Sequence, residues 1–529
     1  MPSTHNEILL DEGDFGNPDA ATANVQKPIH MGRVFPALGV SPGRLSTHLI
    51  VGRKGSGKTF HWRTLEAAAK DRNELISITD TTTLQESTVK KISIRAGENS
   101  YSDFWSIVWR RAIFSFLSSL FYARHSALPF DVKSRLTPQI EEKLFSNQFE
   151  SIFRQPLVEL TPVGYIEKFA GSNRHVFDTF LNNELWGELE KAILLSIPET
   201  SPIYIFIDAI DHQAHTVPQM WHDCQYGLFM TILQMMKETS GRFHVVATIP
   251  DSVYRERIVT DHGTKIFSDS HIRVLDWGRR ENEYFLKHKI MQTMSIGNKK
   301  DMAIDDVIER WIGFRTVFNR RRNVEEAASH YILRHTRCLP RDVVIIGNEI
   351  SRQRLACARS GRPFTEGYLR KAVEGCSKLF GRELIETCLT ELLVSKNSIN
   401  EYTLILQQDA DDLKIFKDSM RAELERFIKS IGKQVFTYQE IEGALQGVFG
   451  ENSISEEWRD KRYRVDNVFW RNGVIAYLDQ RGPDLTKWIY NWYAASEDVN
   501  LPTGAPRYGF HPSIADRFML KIVDGEYVF

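Results

Sequence analysis

The chain has 529 residues, 42% hydrophobic and 26% charged, the ordinary balance of a globular protein and enough for about three domains. Lysine plus arginine (67) matches aspartate plus glutamate (68), so overall charge gives no argument for a nucleic-acid or membrane partner. Five scattered cysteines (Cys224, Cys338, Cys357, Cys376, Cys388) with no C-x-x-C pair fit buried thiols in a reducing compartment better than disulfides or zinc.

Residues 1–45 read as an irregular segment. Leu49-Ile50-Val51 predicts a short buried strand, and Phe60 to Lys70 a helix. Between them stands Gly52-Arg53-Lys54-Gly55-Ser56-Gly57-Lys58-Thr59, the spacing G-x-x-x-x-G-K-[ST] in the strand–turn–helix setting of a phosphate-binding loop. Glycines let the backbone curl so that successive N–H groups line one concavity, and the helix N-terminus adds partial positive charge. Lys58 would reach the β- and γ-phosphates of ATP and Thr59 would ligate Mg²⁺, with Gly52, Gly55, Ser56, Gly57 and Phe60 completing the binding segment. Upstream, Phe15 would stack on adenine, or its segment is a partly ordered tail.

Leu75 to Ile78 predicts a second strand. Tyr101 to Arg124, Thr137 to Ser146 and Val176 to Ser196 read as helices, so residues about 100–197 form a largely helical insertion suited to partner contacts. The most apolar long stretch, Phe104 to Tyr122, carries Arg110 and Arg111, and its uninterrupted part is too short to span a bilayer. With no leader pattern at Met1-Pro2-Ser3-Thr4-His5, the expectation is a cytoplasmic protein without a membrane partner. Ile203 to Ile207 is a run of five apolar residues ending in Asp208, as in a parallel strand covered on both faces. Asp208 would hold Mg²⁺ together with Thr59. Asp211, just beyond, would orient or deprotonate the attacking water, or merely cap a helix. Gln219 to Glu238 predicts a helix, Phe243 to Thr248 and His271 to Trp277 strands, and Glu281 to Met291 a helix. The alternation predicts an α/β fold with a parallel, doubly wound sheet over residues 46–278.

Residues 279–375 read as a helical lid with basic clusters at Arg279-Arg280 and Arg320-Arg321-Arg322. Leu339-Pro340-Arg341-Asp342 opens a helix there, from which Arg341 would reach the γ-phosphate, a third catalytic candidate beside Lys58 and Asp211. Over 376–529, helices at Phe380 to Leu393, Ala410 to Ile431 and Thr437 to Val448 lead to a helix that breaks at Asn472-Gly473 into a strand. A polar loop and the strand Tyr508 to His511 follow, the way a winged-helix domain closes. Arg459, Lys461, Arg462, Arg464 and Arg471, interleaved with Trp458, Tyr463 and Trp470, favour DNA contact, whereas Glu456, Glu457, Asp460 and Asp466 among them oppose it.

Asp14-Phe15-Gly16, Val51 to Thr59, Phe206 to Asp211, Leu275-Asp276-Trp277, Leu339 to Asp342 and Tyr508-Gly509-Phe510-His511-Pro512 together resemble a family of bacterial P-loop ATPases. That family is related to the KAP and STAND ATPases, the AAA-like signalling switches, and the resemblance spans nearly the whole chain. It implies an α/β P-loop NTPase core with ATP and Mg²⁺, a helical lid and a winged helix. STAND relatives carry a second Asp after the magnesium-binding one, matched by Asp211, but follow it with an acidic residue where His212 stands. Related ATPases often end the next strand with a polar or basic sensor, whereas this chain offers Thr248 before Ile249-Pro250. Both departures bear on the rate of hydrolysis.

The reading that follows is an ATP-driven switch, by analogy the regulatory ATPase of an antiviral defence or stress-signalling system. It would act with a protein effector, as a homo-oligomer, or both, with an arginine of 279–280 or 320–322 supplied in trans. The alternative is an ATP-regulated DNA-binding protein using its winged helix. A small-molecule kinase finds no second substrate motif.

Overall fold

The computed structural model describes residues 15–16, 40–41, 44–45, 48–70, 76–80, 84–96, 101–123, 161–182, 184, 186–197, 202–208, 218–238, 242–258, 271–295, 302–395, 410–450, 464–480, 486–490 and 500–522. Their contacts divide the chain into two compact units. A sheet unit comprises Pro28–Gly52 and Lys58–Val274, and a C-terminal unit comprises Met1–Lys27, Arg53–Gly57 and Leu275–Phe529.

In the sheet unit, β1 (Val40–Ser41) and β2 (Arg44–Leu45) make a short antiparallel pair. β3 (Leu49–Gly52) precedes α1 (Lys58–Lys70), and β4 (Ile76–Asp80) is followed by α2 (Glu86–Ala96) and α3 (Tyr101–Ala123). Then come α4 (Pro162–Gly171), α5 (Arg174–Asn182), α6 (Trp186–Ser196) and β5 (Ile203–Ile207). α7 (Pro218–Glu238), β6 (Phe243–Pro250), α8 (Asp251–Ile258) and β7 (Ile272–Val274) complete the unit. Five strands form one parallel sheet in the order β4-β5-β6-β3-β7. β3 and β5 are buried along their whole length, the condition under which continuous apolar strands are stable.

Four sequence expectations change here. The predicted helix Val176 to Ser196 is two helices, α5 and α6, because the Asn-rich junction at Asn182 favours a turn. Trp186 then starts a new turn, its indole N–H donating to the Phe180 carbonyl at 2.6 Å. α2 and α4 were not anticipated. β7 is shorter than His271 to Trp277, since β3 pairs only with Ile272, Arg273 and Val274. Thr137 to Ser146 lies outside the described residues.

Arg110 and Arg111, the charges inside the apolar stretch, both bind Glu190 on α6, so α3 is a core helix. No helix among the described residues is long and apolar enough to cross a membrane. α3 packs on α7 where Gly227 faces Trp105 so closely that a Cβ there would lie 2.5 Å from the Trp105 Cβ.

The C-terminal unit contains α9 (Arg279–Thr293), α10 (Ile304–Ile312), β8 (Thr316–Asn319), β9 (Val324–Ala327), α11 (Ala328–Leu333), α12 (Pro340–Arg359), α13 (Glu366–Ser395) and α14 (Ala410–Ile431). β10 (Val435–Phe436), α15 (Tyr438–Phe449), α16 (Val465–Arg471), β11 (Ile475–Gln480), β12 (Thr486–Tyr490), β13 (Tyr508–Phe510) and α17 (Pro512–Phe518) follow. The last strands make an antiparallel sheet in the order β10-β13-β11-β12. α15 starts with a capping box, Thr437 and Glu440 each satisfying the other's backbone N–H. The core beneath includes Leu424, Phe427, Phe469, Phe510 and Ile514.

β12 was not expected, nor was the antiparallel hairpin β8–β9 inside a stretch read as all helical. Arg320-Arg321-Arg322 therefore sits on a hairpin turn, closed by Asn323 at φ 51°, and not on a helix face. Phe15 is also corrected. Its ring is 1% exposed, 5.1 Å from Trp311, and Gly347 is the floor on which it lies. Asn348 Oδ1 accepts the Phe15 N–H while its Nδ2 donates to the Gly16 carbonyl. A ring locked in this core is not placed to stack on a base.

Candidate functional site

In the sheet unit, the carboxyl ends of β3, β5 and β6 deliver the candidate residues. β6 lies between β3 and β5, and its Thr248 donates from Oγ1 to Asp208 Oδ1 at 2.7 Å. The Asp208 N–H donates to the Asp80 carbonyl on the other side, 3.3 Å away, so Asp208 is oriented from both neighbouring strands. Gly52 ends β3, and Lys58 opens α1. The Lys58 side chain is buried and its Nζ donates to the Gly52 carbonyl at 2.9 Å, closing the turn back on its own strand. Thr59 and Phe60 follow on the first turn of α1, both half-buried. Trp62 then packs edge-on against Phe206, fixing α1 on the strand that carries Asp208. Burial, with the charge of Arg273, lowers His61 on the same helix to about 4, so it is neutral at physiological pH.

The turn Arg53–Gly57 clusters with the C-terminal unit. Gly55 (φ +88°) and Gly57 (φ +91°) take the left-handed conformation that L side chains avoid. Three of the loop's carbonyls are engaged: Arg53 O accepts the Ser56 N–H, Gly55 O the Arg341 N–H at 3.3 Å, and Ser56 O the Trp277 indole at 2.9 Å. Several of its donors are not. Among the described residues, the Gly55 and Gly57 N–H groups have no backbone acceptor, and the Ser56 hydroxyl and Arg341 Nε are buried without a hydrogen-bond partner. Unsatisfied donors grouped around one loop are the kind that an anion site uses.

Arg341 reaches Gly55 because of the turn before α12. Cys338 at φ 54° reverses the chain, and Pro340 starts the helix. Arg337 then grips Asp342 by three bonds, from its backbone N–H (2.9 Å), Nε (2.8 Å) and Nη2 (2.6 Å). Glu383 of α13 takes a further bond from Arg337 at 2.7 Å. Burial alone would raise the Glu383 carboxyl, but Arg337, Arg341 and Lys54 hold it below the usual carboxylate range.

The structure thus brings Asp208 together with Thr248 in the sheet unit, and the loop together with Arg341 and Trp277 in the C-terminal unit. Asp211 and His212 lie outside the described residues. The candidate trans-acting arginines are largely engaged: Arg279 pairs with Glu283, Arg321 with Asp516 and Arg322 with Glu326. Of the basic stretch read as a DNA contact, Arg464 is bound by Asp466 and Glu442, Arg471 by Glu391, and Trp470 is buried. These three serve the fold; Trp458, Arg459, Lys461, Arg462 and Tyr463 lie outside the described residues. Spacing alone did not reveal that Trp277 holds the loop, although a tryptophan just past a strand end was its visible trace.

Among the described residues, no group of three or more His, Cys, Asp or Glu could hold a metal ion unaided. Thr59 and Asp208 are oxygen donors of the kind Mg²⁺ takes, and that ion draws most of its shell from phosphates and water. The donor set therefore fits Mg²⁺ carried by a nucleotide. Comparison with protein-family models, with curated proteins and with solved structures gives no match to this chain.

Proposed function

We propose that the chain is a P-loop ATPase that binds Mg²⁺–ATP and uses it as a conformational switch. The observation that carries this reading is the loop itself: among the described residues the Gly55 and Gly57 N–H groups have no backbone acceptor, and the buried Ser56 hydroxyl has no hydrogen-bond partner. Phosphate oxygens would take the Gly55 and Gly57 N–H groups, the Ser56 hydroxyl and the α1 N-terminus, and Lys58 would move from the Gly52 carbonyl to the phosphates. Thr59 and Asp208 would hold Mg²⁺, with Thr248 keeping the Asp208 carboxylate oriented. Asp211, three residues further along, remains the candidate to orient water, and Arg341 the candidate to act at the γ-phosphate.

The α14–β13 region is read as a winged helix in which β13 is inserted between β10 and β11. Nucleotide could drive assembly with a second copy or an effector only through a contact that alters the site. No described contact favours the DNA-binding alternative.

The test is Mg²⁺–ATP calorimetry on wild type and Lys58→Ala. A charged donor to phosphate contributes roughly 1.5–3 kcal/mol, so affinity should fall about 10- to 100-fold with the fold unchanged by circular dichroism. Equal affinity in the two proteins would place the phosphate site elsewhere.

A further inference from the structure

Three elements of the C-terminal unit hold the loop Arg53–Gly57. Arg341 at the start of α12 and Trp277 before α9 bind its carbonyls. The third contact comes from the loop outward: Arg53 Nη2 donates to the carbonyl of Arg471, the last residue of α16, at 2.6 Å. A helix carboxyl end carries unsatisfied carbonyls and partial negative charge, so a guanidinium there both caps it and complements its dipole. The end of α16 is a firm anchor. Arg471 is 4% exposed, its Nε donates to Glu391 on α13 at 2.6 Å, and the same carboxylate accepts from Asn472 Nδ2 at 2.5 Å. Gly473 at φ +68° then turns the chain into β11. Arg53 occupies a position of G-x-x-x-x-G-K-[ST] whose side chain the phosphate chemistry does not use.

We propose that Arg53 is a positioning residue, a clasp that couples the shape of the phosphate-binding loop to the α16 end of the C-terminal sheet. The inference rests on the loop being a phosphate site. A loop already held in its curled form loses less freedom on binding an anion, so the clasp raises affinity for a di- or triphosphate. By linkage the effect is reciprocal. A phosphate ligand that prefers the clasped loop stabilises the Arg53–Arg471 contact, and with it α16, by the same factor. Nucleotide occupancy would thereby reach the C-terminal sheet through one hydrogen bond, without any contact between ligand and sheet.

The experiment uses the full chain with Mg²⁺–ADP and, separately, pyrophosphate as probes. Arg53→Ala should weaken both about tenfold in calorimetry, and Arg53→Lys should restore part of the loss. Glu391→Gln loosens the anchor without touching the loop, so it should weaken binding in the same direction and combine with Arg53→Ala less than additively. Hydrogen exchange supplies the reciprocal reading. ADP should slow exchange of the Val465–Arg471 amides in wild type and not in Arg53→Ala. Should Arg53→Ala fail to fold, Arg53→Lys, Glu391→Gln and the wild-type exchange data carry the test. If wild type binds neither probe, the phosphate-site reading falls and this inference with it. If wild type binds while these variants match its affinity, or ADP leaves α16 exchange unchanged, the clasp alone is overturned.

Discussion

Gly55→Ala separates the loop's backbone requirement from everything else about the site. At φ +88° an L residue costs about 1–2 kcal/mol relative to glycine. The new Cβ would also lie 3.1 Å from Arg341 Cβ, 3.3 Å from its Cδ and 3.6 Å from Leu339 Cδ1, so α12 must yield by a few tenths of an ångström. Together these come to about 2 kcal/mol, or roughly a 30-fold loss of Mg²⁺–ADP affinity if the cost falls on the binding-competent loop. Arg341→Ala in the same chain removes the Cδ contact but keeps both the Cβ contact and the φ cost, so the double variant should recover little of the Gly55→Ala loss. Gly375→Ala on α13 is the control: nothing lies within 4 Å, so it should gain up to about 1 kcal/mol of stability and leave binding alone. Calorimetry and thermal melting of the four proteins decide it. A Gly55→Ala chain that binds and melts like wild type would show that the loop does not depend on left-handed backbone at that position.

Gly227→Ala reverses the usual sign of a helical glycine replacement. Its Cβ would meet Trp105 Cβ at 2.5 Å, the Trp105 carbonyl carbon at 2.7 Å and Ser106 N at 2.8 Å, and backbone cannot step aside. The overpacking exceeds the gain of about 1 kcal/mol in helix propensity, so the melting midpoint should fall by several degrees; a rise would contradict the α3–α7 seam. His511 gives a pH signature. Burial, with the charge of His335, holds it down at about 3 while an unfolded histidine titrates near 6.5. Between those values the unfolded chain binds the extra proton, so stability rises with pH by up to about 1.4 kcal/mol per unit and is lost on acidification. His511→Asn keeps an acceptor for the Ser513 N–H, and denaturant midpoints from pH 4 to 7 should show a shallower slope; an unchanged slope would refute the assignment.

The sequence made the local structure legible and hid the distant contacts. Strand, glycine turn, Lys58 and Thr59 lie within a dozen residues, and short-range pattern suffices for them. Asp208 was legible as a carboxylate ending a wholly apolar run, but its bond to Thr248 depends on β6 lying beside β5, which no spacing reports. Phe15 was misread because its partners Trp311, Gly347 and Asn348 are remote in sequence. The β8–β9 hairpin was misread because three arginines favour a helix locally, and only Asn323, tolerant of positive φ, marked the turn. The basic stretch around α16 looked like a nucleic-acid surface because a sequence does not show that Arg464 and Arg471 already have carboxylate partners.

The strand order has a consequence for how the chain emerges from the ribosome. β3 is made before β4 and β5, yet it pairs with neither; its neighbours are β6 and β7. β4 and β5 can zip together as soon as both are out, but Leu49, Ile50 and Val51 must wait until everything up to and including Phe243–Pro250 has been synthesised. Pairing over such a separation is slow, and an apolar strand with both edges open is a template for the wrong partner. A nascent chain stalled or cut before β6 therefore leaves the apolar strand leading into the glycine-rich loop without its main partner. Holding that segment until translation passes β7 is a task for chaperones, set by topology and independent of any nucleotide.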